Sequence, residues 1–279
     1  MKQQAIILII AHKESLSSSE KLSLKQCYKI LAKHHIKLIC PSGLNIEQYR
    51  NIISNIEVEF IDPKWHSSYA MFNLLKMNSL LYNKFEDYQY ILFYELDAWV
   101  FKDELVSWCC KGFDYIGAPW FEGFHLPQTN KLIGVGNGGF SIRNIKSSLR
   151  VLNRIHQLRR IRKFWFKSRV QSIWRFYKMV SFFKFLFKIQ SITDLNTLLF
   201  LNDSMQEDFY WTQLIAKTFS DYKVASIEEA VKFSFEVKPS LVFKMNNYQL
   251  PFGCHAWEKY EPDFWKEYIS VKEDELHNA

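Results

Sequence analysis

Residues 90–97 read Tyr-Ile-Leu-Phe-Tyr-Glu-Leu-Asp. The first five form an unbroken apolar run, the pattern of a strand covered on both faces. Two acids at alternate positions, Glu95 and Asp97, follow at once. Period-2 geometry sets them on one side, just where the strand runs out. A second run of this kind, Ala5–Ile10 (AIILII), reads as a central strand, and Ile36–Cys40 (IKLIC), ended by Pro41, and Val58–Ile61 read as two more. Between them Ser17–Ser19 supply caps for a helix through about Leu31. Ser67 or Ser68 opens a helix carrying Met71, Leu74, Leu75, Leu80 and Leu81. Strands alternating with helices across short links predict an α/β layered fold with a largely parallel sheet. In such sheets a ligand sits beyond the carboxyl ends of the strands, where His12 and Asp97 both fall. The second half is less regular. Asp114–Trp120 and Gly138–Arg143 read as strand segments around a loop, a helix runs from Glu207 to about Phe219, and a closing segment lies around Pro251–Tyr260. A single domain over residues 1–279 is expected, without repeats or low-complexity linkers.

Composition narrows the class. With 48% hydrophobic residues, nine glycines and seven prolines in 279 residues, general disorder and collagen-like architectures are excluded. Five scattered cysteines form neither a disulfide framework nor a zinc spacing, which points to a reducing compartment. The apolar run after Met1-Lys2 is too short for a signal-peptide core and reads as a strand. No stretch approaches the length of a spanning helix. The expected location is cytoplasmic. The formal charge of +7 is unevenly spread, because residues 145–193 hold 13 Lys and Arg and no acid. The remainder carries 23 basic and 29 acidic residues, so the basic character belongs to one segment of an otherwise acidic chain.

Four constellations bear chemistry. Glu95 and Asp97 suit a Mg²⁺ or Mn²⁺ site facing a diphosphate, since hard oxygen ligands bridge such ions to phosphate; the alternative is an acidic exit from a strand. Val135–Ser141 (VGNGGFS) places three of the nine glycines in four positions. That run permits either close approach of backbone to a ligand or a tight hairpin turn. Ser204 with Glu207 three residues on forms a capping box, whereas Asp208 at a helix start could also serve as a general base. His255, in Phe252–Trp257 (FGCHAW), is either a core histidine or a metal ligand. No Cys/His set is placed to make Cys254 part of a zinc site.

Taken in order, ILFYELDAWVFKDEL, FDYIGAPW, VGNGGFSIRN, QEDFYW and FGCHAWEKY resemble a bacterial and fungal family of glycosyltransferase-like proteins. That family is similar to the GT-A class of nucleotide-sugar glycosyltransferases. The likeness is dense over about Tyr88–Asn144 and Asp203–Tyr260, thin before residue 85 and absent from the basic stretch. It implies a GT-A-like fold: α/β, Rossmann-like, with a mostly parallel central sheet. It further implies a metal-dependent transferase moving a sugar from a nucleoside-diphosphate donor to a saccharide or glycolipid acceptor. Asp97 resembles the last Asp of the D-x-D metal motif, with Glu95 in the first position, and His255 resembles the late histidine of that site, for Mn²⁺ or Mg²⁺. Gln206-Glu207-Asp208 is similar to the x-E-D motif of inverting members, so Asp208 is the expected catalytic base with Glu207 beside it. Asn137, Gly138 and Gly139 would line the donor sugar, Ala11 and His12 the nucleotide, and Trp120 and Trp257 would stack on a sugar. A retaining enzyme on the same fold and a non-catalytic sugar-binding copy are the alternatives.

Residues 154–188 mix eleven Lys and Arg with ten aromatics. Arg159, Arg160, Lys163, Trp165 and Trp174 belong to a basic helical insert (145–193) suited to an anionic membrane interface, where a lipid-linked acceptor would lie. Packing of the aromatics against the domain is the competing reading. Binding of single-stranded nucleic acid is a third, disfavoured by the acidity of the rest of the chain and the lack of a nucleic-acid module.

Overall fold

The computed structural model describes residues 3–167, 182, 184–200 and 205–269. Strands β1 (Gln3–Ile10), β2 (His35–Pro41), β3 (Glu57–Ile61) and β4 (Tyr88–Tyr94) pair in parallel. The sheet is completed by β6 (Tyr115–Ile116) and the antiparallel β9 (Phe140–Asn144), in the order β3-β2-β1-β4-β9-β6. The architecture is therefore mixed α/β around a mostly parallel sheet, as the alternating runs predict. β1 is covered on both faces: Ala5, Ile7 and Ile9 point into one core, Ile6, Leu8 and Ile10 into the other. β4 alternates in the same way, with Tyr90, Leu92 and Tyr94 on the first side and Ile91 and Phe93 on the second.

This topology locates the cleft. The chain leaves β1 toward β2 and β3, then returns to the other side of β1 as β4. The carboxyl ends of β1 and β4 thus flank the point where strand order reverses, the position at which open α/β sheets bind ligands. β9 runs against β4, with Tyr94 opposite Phe140, so its amino end meets the carboxyl end of β4. The glycine-rich stretch is thereby delivered beside Glu95, whose amide donates to the Gly139 carbonyl at 2.8 Å.

Helix α1 (Ser18–Leu31) starts at Ser17 with a full capping box to Glu20. The single helix expected after Ser67 or Ser68 is in fact two. α2 (Glu47–Ile52) comes first in the chain; then α3 (Tyr69–Lys76), capped by Ser68, and α4 (Ser79–Lys84) are separated at Met77–Asn78. The Asn78 side chain accepts from the Leu80 amide at 2.9 Å, which starts a new helix rather than continuing the old one, and leaves Leu80 exposed. The strand expected over Asp114–Trp120 also divides, at Gly117. A Cβ there would lie 1.8 Å from the Gly136 carbonyl oxygen. Beyond it, β7 (Ala118–Phe121) leaves the main sheet and pairs with β8 (Leu132–Gly136). β10 (Ser234–Phe235) and, in the closing segment, β11 (Gly253–Cys254) join β5 (Trp99–Val100) in another small sheet.

α5 (Leu105–Cys110) covers one face of the main sheet, and α6 (Ile145–Lys167) opens the basic stretch. α6 buries Ile145, Val151, Ile155 and Leu158 against the second core. Among the described residues three of its cations are committed to the domain: Arg150 donates to Asp221 O at 2.8 Å, Arg154 grips the Asp221 carboxylate with both terminal nitrogens at 2.7 and 2.9 Å, and Arg159 donates to Leu198 O at 2.8 Å in α7 (Ile192–Phe200). Arg160 is exposed. The side chains of Lys163 and Trp165, and Trp174 and Ser204 altogether, lie outside the described residues. Among the described residues no helix is long and apolar enough to cross a membrane. Finally, α8 (207–218) carries a π-helical stretch over Tyr210–Ile215, a deviation frequent at functional sites.

Candidate functional site

Past Tyr94 the chain turns, with Ala98 N donating to Glu95 O at 2.9 Å. Leu96 stays in the first core with Tyr94, which leaves Glu95 and Asp97 for the opposite side, toward α3 and α8. His255, just after β11, reaches the same place. Its Nε2 stands 3.1 Å from Asp97 Oδ1 and 3.8 Å from Glu95 Oε2. The other ring nitrogen, Nδ1, is 3.2 Å from Glu236 Oε1, which orients the imidazole. Asp97 and His255, 158 positions apart in sequence, therefore share one cleft.

The donor set fits a divalent cation. One ligand atom each from Glu95, Asp97 and His255 falls within 4.8 Å of the others. Asp97 Oδ1 and His255 Nε2 are both buried and face each other at 3.1 Å without the alignment of a hydrogen bond, and such poorly satisfied groups gain from a bound cation. Carboxylate oxygen with imidazole nitrogen suits Mn²⁺ or Mg²⁺ with phosphate, and a Glu–His second contact is the usual support. Charge points the same way: five acids, Glu95, Asp97, Glu207, Asp208 and Glu236, gather around two basic side chains, Lys76 and Arg143. Burial favours neutral His255, but Asp97, Glu236 and Glu95 outweigh it and raise its pKa well above the ordinary value. Burial likewise pushes Glu95 up, and the Lys76 ammonium and His255 more than reverse this, holding its carboxyl well below the ordinary range.

The glycines make room for these side chains. A Cβ on Gly138 would lie 1.8 Å from Glu207 Oε1, and one on Gly139 would lie 2.0 Å from His255 Nε2. The run joins β8 to β9, which pair in different sheets rather than as a hairpin, and the close approach seen is of the chain's own side chains to the glycine backbone. Asn137 occupies the left-handed region at φ 72°, and its Oδ1 accepts from Gly139 N at 3.0 Å. Its Nδ2 is buried and unpartnered.

Asp208 sits in the first turn of α8 at the floor of the cleft, 9% exposed. It accepts from Asn137 N at 3.2 Å and from Phe209 N at 2.8 Å. Burial, then the charges of Glu207 and Glu236, push its pKa from 3.8 up to about 7. A carboxylate poised there is matched to general-base work near neutrality. Glu207 has a different geometry from the one expected of a reacting group. It is 3% exposed, turned inward, and ion-paired to the fully buried Arg143 at 2.7 Å.

Three cavities run together. The largest, about 490 Å³, lies over the carboxyl ends of β1 and β4 and is lined by Ile10, His12, His66, Tyr69, Phe72 and Asp97 among others. It shares Tyr69, Phe72 and Glu95 with a small central cavity that also holds Lys76, Asp208 and His255. His125 joins that centre to a third, open groove of about 310 Å³ bounded by Leu126, Pro127, Lys259 and Tyr260. His12 lines the first cavity as expected, while Ala11 is fully enclosed and spends its amide on Ile39 O at 2.9 Å.

Trp120 and Trp257 are the clearest departures. Trp120 is 5% exposed and packed on Gly136, with its edge to Phe124. Trp257 is 8% exposed, edge-on to Trp99. Neither presents a ring face to a sugar; both are core aromatics. Conversely, Lys76, Arg143, Glu236 and His66 escape a sequence reading. Lys76 lies four residues after Phe72 and three after the buried Asn73 on the inward face of α3, and Arg143 follows buried Ile142 in a strand, the faint signals available. Both nitrogens of His66 are buried and unpartnered, and burial together with His12 lowers its pKa to about 4.

The family model described as protein of unknown function (DUF5672) matches residues 55–255, and the chain belongs to that family. No curated protein matches the chain. Among solved structures it is similar to an active-site mutant of LgtC, at 14% identity and a TM-score of 0.46 over 97% of this chain and 93% of that one. It is also similar to the galactosyltransferase LgtC in complex with donor and acceptor sugar analogs, at 14% identity and a TM-score of 0.45 over 97% and 99% of the two chains. A glycosyltransferase involved in the glycosylation of the major capsid of PBCV-1 matches at 12% identity and a TM-score of 0.41, over 95% and 100%.

Proposed function

We propose that this DUF5672 protein is a metal-dependent glycosyltransferase that moves a sugar from a nucleoside-diphosphate donor to a saccharide or glycolipid acceptor, with inversion at the anomeric carbon. The observation that carries the reading is the meeting of Asp97, His255 and Glu95 where the 490 Å³ cavity adjoins the small central one that holds Asp208. The large cavity takes the nucleotide, with His12 and His66 on its wall. Asp97, His255 and the outward oxygen of Glu95 would hold Mn²⁺ or Mg²⁺. Bound there, the ion would neutralise charge developing on the departing diphosphate.

The chain's own groups do the rest. Asn137, Gly138 and Gly139 form the wall against which the donor sugar lies, where close backbone approach is possible. The acceptor enters from the His125–Tyr260 groove and presents a hydroxyl to Asp208. Asp208 removes that proton as the oxygen bonds to the anomeric carbon, in line with the leaving phosphate on the opposite face. Glu207 does not react; paired to Arg143, it lies against Gly138 and keeps the charge beside Asp208 that raises its pKa. The exposed side chains of Phe185 (87%) and Leu186 (51%), beside Lys184 and Lys188, support peripheral contact of the insert with an anionic membrane surface.

A nucleotide-sugar panel with Mn²⁺ tests the reading. Hydrolysis or transfer from at least one donor, lost with chelator and lost in Asp97→Ala, is expected. The anomeric configuration of the first-formed product, read by proton NMR, should be the inverse of the donor's. Absence of turnover with every donor, together with no Mn²⁺-dependent nucleotide binding, would overturn it.

A further inference from the structure

Lys76 lies at the centre of the cleft, and none of the steps above uses it. It is 2% exposed. Its ammonium donates to Glu95 Oε1 and, at 3.2 Å, to Gly138 O, and stands over the rings of Phe72 and Phe93 at 4.6 and 5.5 Å. The same residue's carbonyl is fixed by Tyr82 Oη at 2.8 Å and Trp211 Nε1 at 3.2 Å. Both ends of the residue are therefore held, and its side chain is a fixed part of the cleft. Its acidic partners are unequal. Glu207 is 3.6 Å away and has Arg143 at 2.7 Å as its own counterion, so the ammonium's close partner is Glu95.

Glu95 is consequently divided. Oε1 is engaged by Lys76, while Oε2 faces the His255 ring at 3.8 Å. A divalent ion entering between Asp97 and His255 meets a carboxylate already neutralised by a cation on its far side. It also meets that cation's repulsion across a poorly hydrated space. Resting on the metal reading above, we infer that Lys76 is a positioning residue that keeps Glu95 Oε1 from the ion, leaving only Oε2 to hold it, and so keeps affinity for the bare ion low. The ion is then held firmly only when a nucleoside diphosphate adds its own charge and oxygen ligands, as hard cations with few protein ligands require. Loading of the ion is thereby tied to loading of the donor.

The test is Mn²⁺ binding by the full chain, read from the free-ion EPR signal, with and without uridine or guanosine diphosphate. Wild type should bind the bare ion weakly and gain strongly from nucleotide. Lys76→Met, whose side chain fits between Phe72 and Phe93, should bind the bare ion about tenfold or more tightly, the scale of second-shell effects. Its gain from nucleotide should shrink in proportion. Lys76→Gln, which keeps a donor for Glu95 without the charge, should tighten in the same sense and serves if the methionine variant fails to fold. Lys76→Arg should behave as wild type. The tightening should be largely lost in Lys76→Met/Glu95→Gln. A folded Lys76→Met or Lys76→Gln with unchanged or weaker bare-ion affinity, or a full gain persisting with Gln at position 95, would overturn the inference. Wild type that binds no Mn²⁺ even with nucleotide would instead remove the metal reading beneath it.

Discussion

Replacing Asp208 with Asn separates stability from activity and measures the environment that the cleft imposes. In the folded chain the carboxyl titrates at about 7 instead of 3.8, chiefly through burial and then through Glu207 and Glu236. Between those two values the folded protein retains a proton that the unfolded chain has released. The contribution of this carboxyl to wild-type stability therefore falls with rising pH by about 1.4 kcal/mol per unit, and the loss is complete above pH 7. Across the whole window this amounts to roughly 4 kcal/mol, a large share of the stability of an ordinary domain. Asn cannot ionise, so Asp208→Asn escapes the loss. It does forfeit one of the two amide contacts, from Asn137 or Phe209, but that deficit is the same at every pH. The stability gap between variant and wild type should thus widen in the variant's favour by about 3 kcal/mol between pH 5 and pH 8. Guanidinium denaturation in chelator, at both pH values, reads this directly. The companion measurement is the pH–rate profile of the wild type, whose acidic limb should bend near 7, with turnover lost in the variant while Mn²⁺-dependent nucleotide binding is kept. A gap that stays constant with pH, or near wild-type turnover by Asp208→Asn, would refute the base assignment.

Other perturbations probe the neighbouring groups. Asp97→Ala should abolish the Mn²⁺-dependent part of nucleotide binding, seen as loss of the thermal shift that nucleotide and Mn²⁺ produce together. Gly139→Ala drives a methyl into His255 Nε2 and should lower Mn²⁺ affinity in the presence of nucleotide by an order of magnitude or more, with a far smaller change in melting temperature. Arg143→Met strands the buried Glu207 carboxylate and should cost about 3–5 kcal/mol in chemical denaturation, whereas Arg143→Met/Glu207→Gln should recover part of it. Phe185→Ser/Leu186→Ser should reduce flotation with anionic vesicles while leaving donor hydrolysis unchanged; equal flotation would remove the membrane contact.

Some of this was legible in one dimension, because strand burial and helix capping are local properties. The unbroken runs AIILII and YILFY announce strands covered on both faces, and Ser17 with Glu20 announces the start of α1. The acids that close the YILFY run mark the cleft, because a charged pair directly after a buried strand has to leave the core. Three crowded glycines mark a place where backbone and side chains come unusually close. Which side chains those are, His255 and Glu207, depends on the antiparallel placement of β9 beside β4. No local pattern encodes that placement. The resemblance implies that Trp120 and Trp257 stack on a sugar, and sequence does not declare whether an aromatic face is covered; both are buried.

What residue order alone determined is the layered α/β arrangement, the edge of the sheet where ligands belong, and the acids and histidine to watch there. Tertiary structure alone decided that Lys76 and Arg143 lie inside. A long cationic side chain is stable in a core only when a counterion arrives from a distant segment, and periodicity carries no record of that partner. The split of Glu95 between an ammonium and the open cleft, and the shift of Asp208 toward neutrality, are consequences of charges that converge only once the chain has folded.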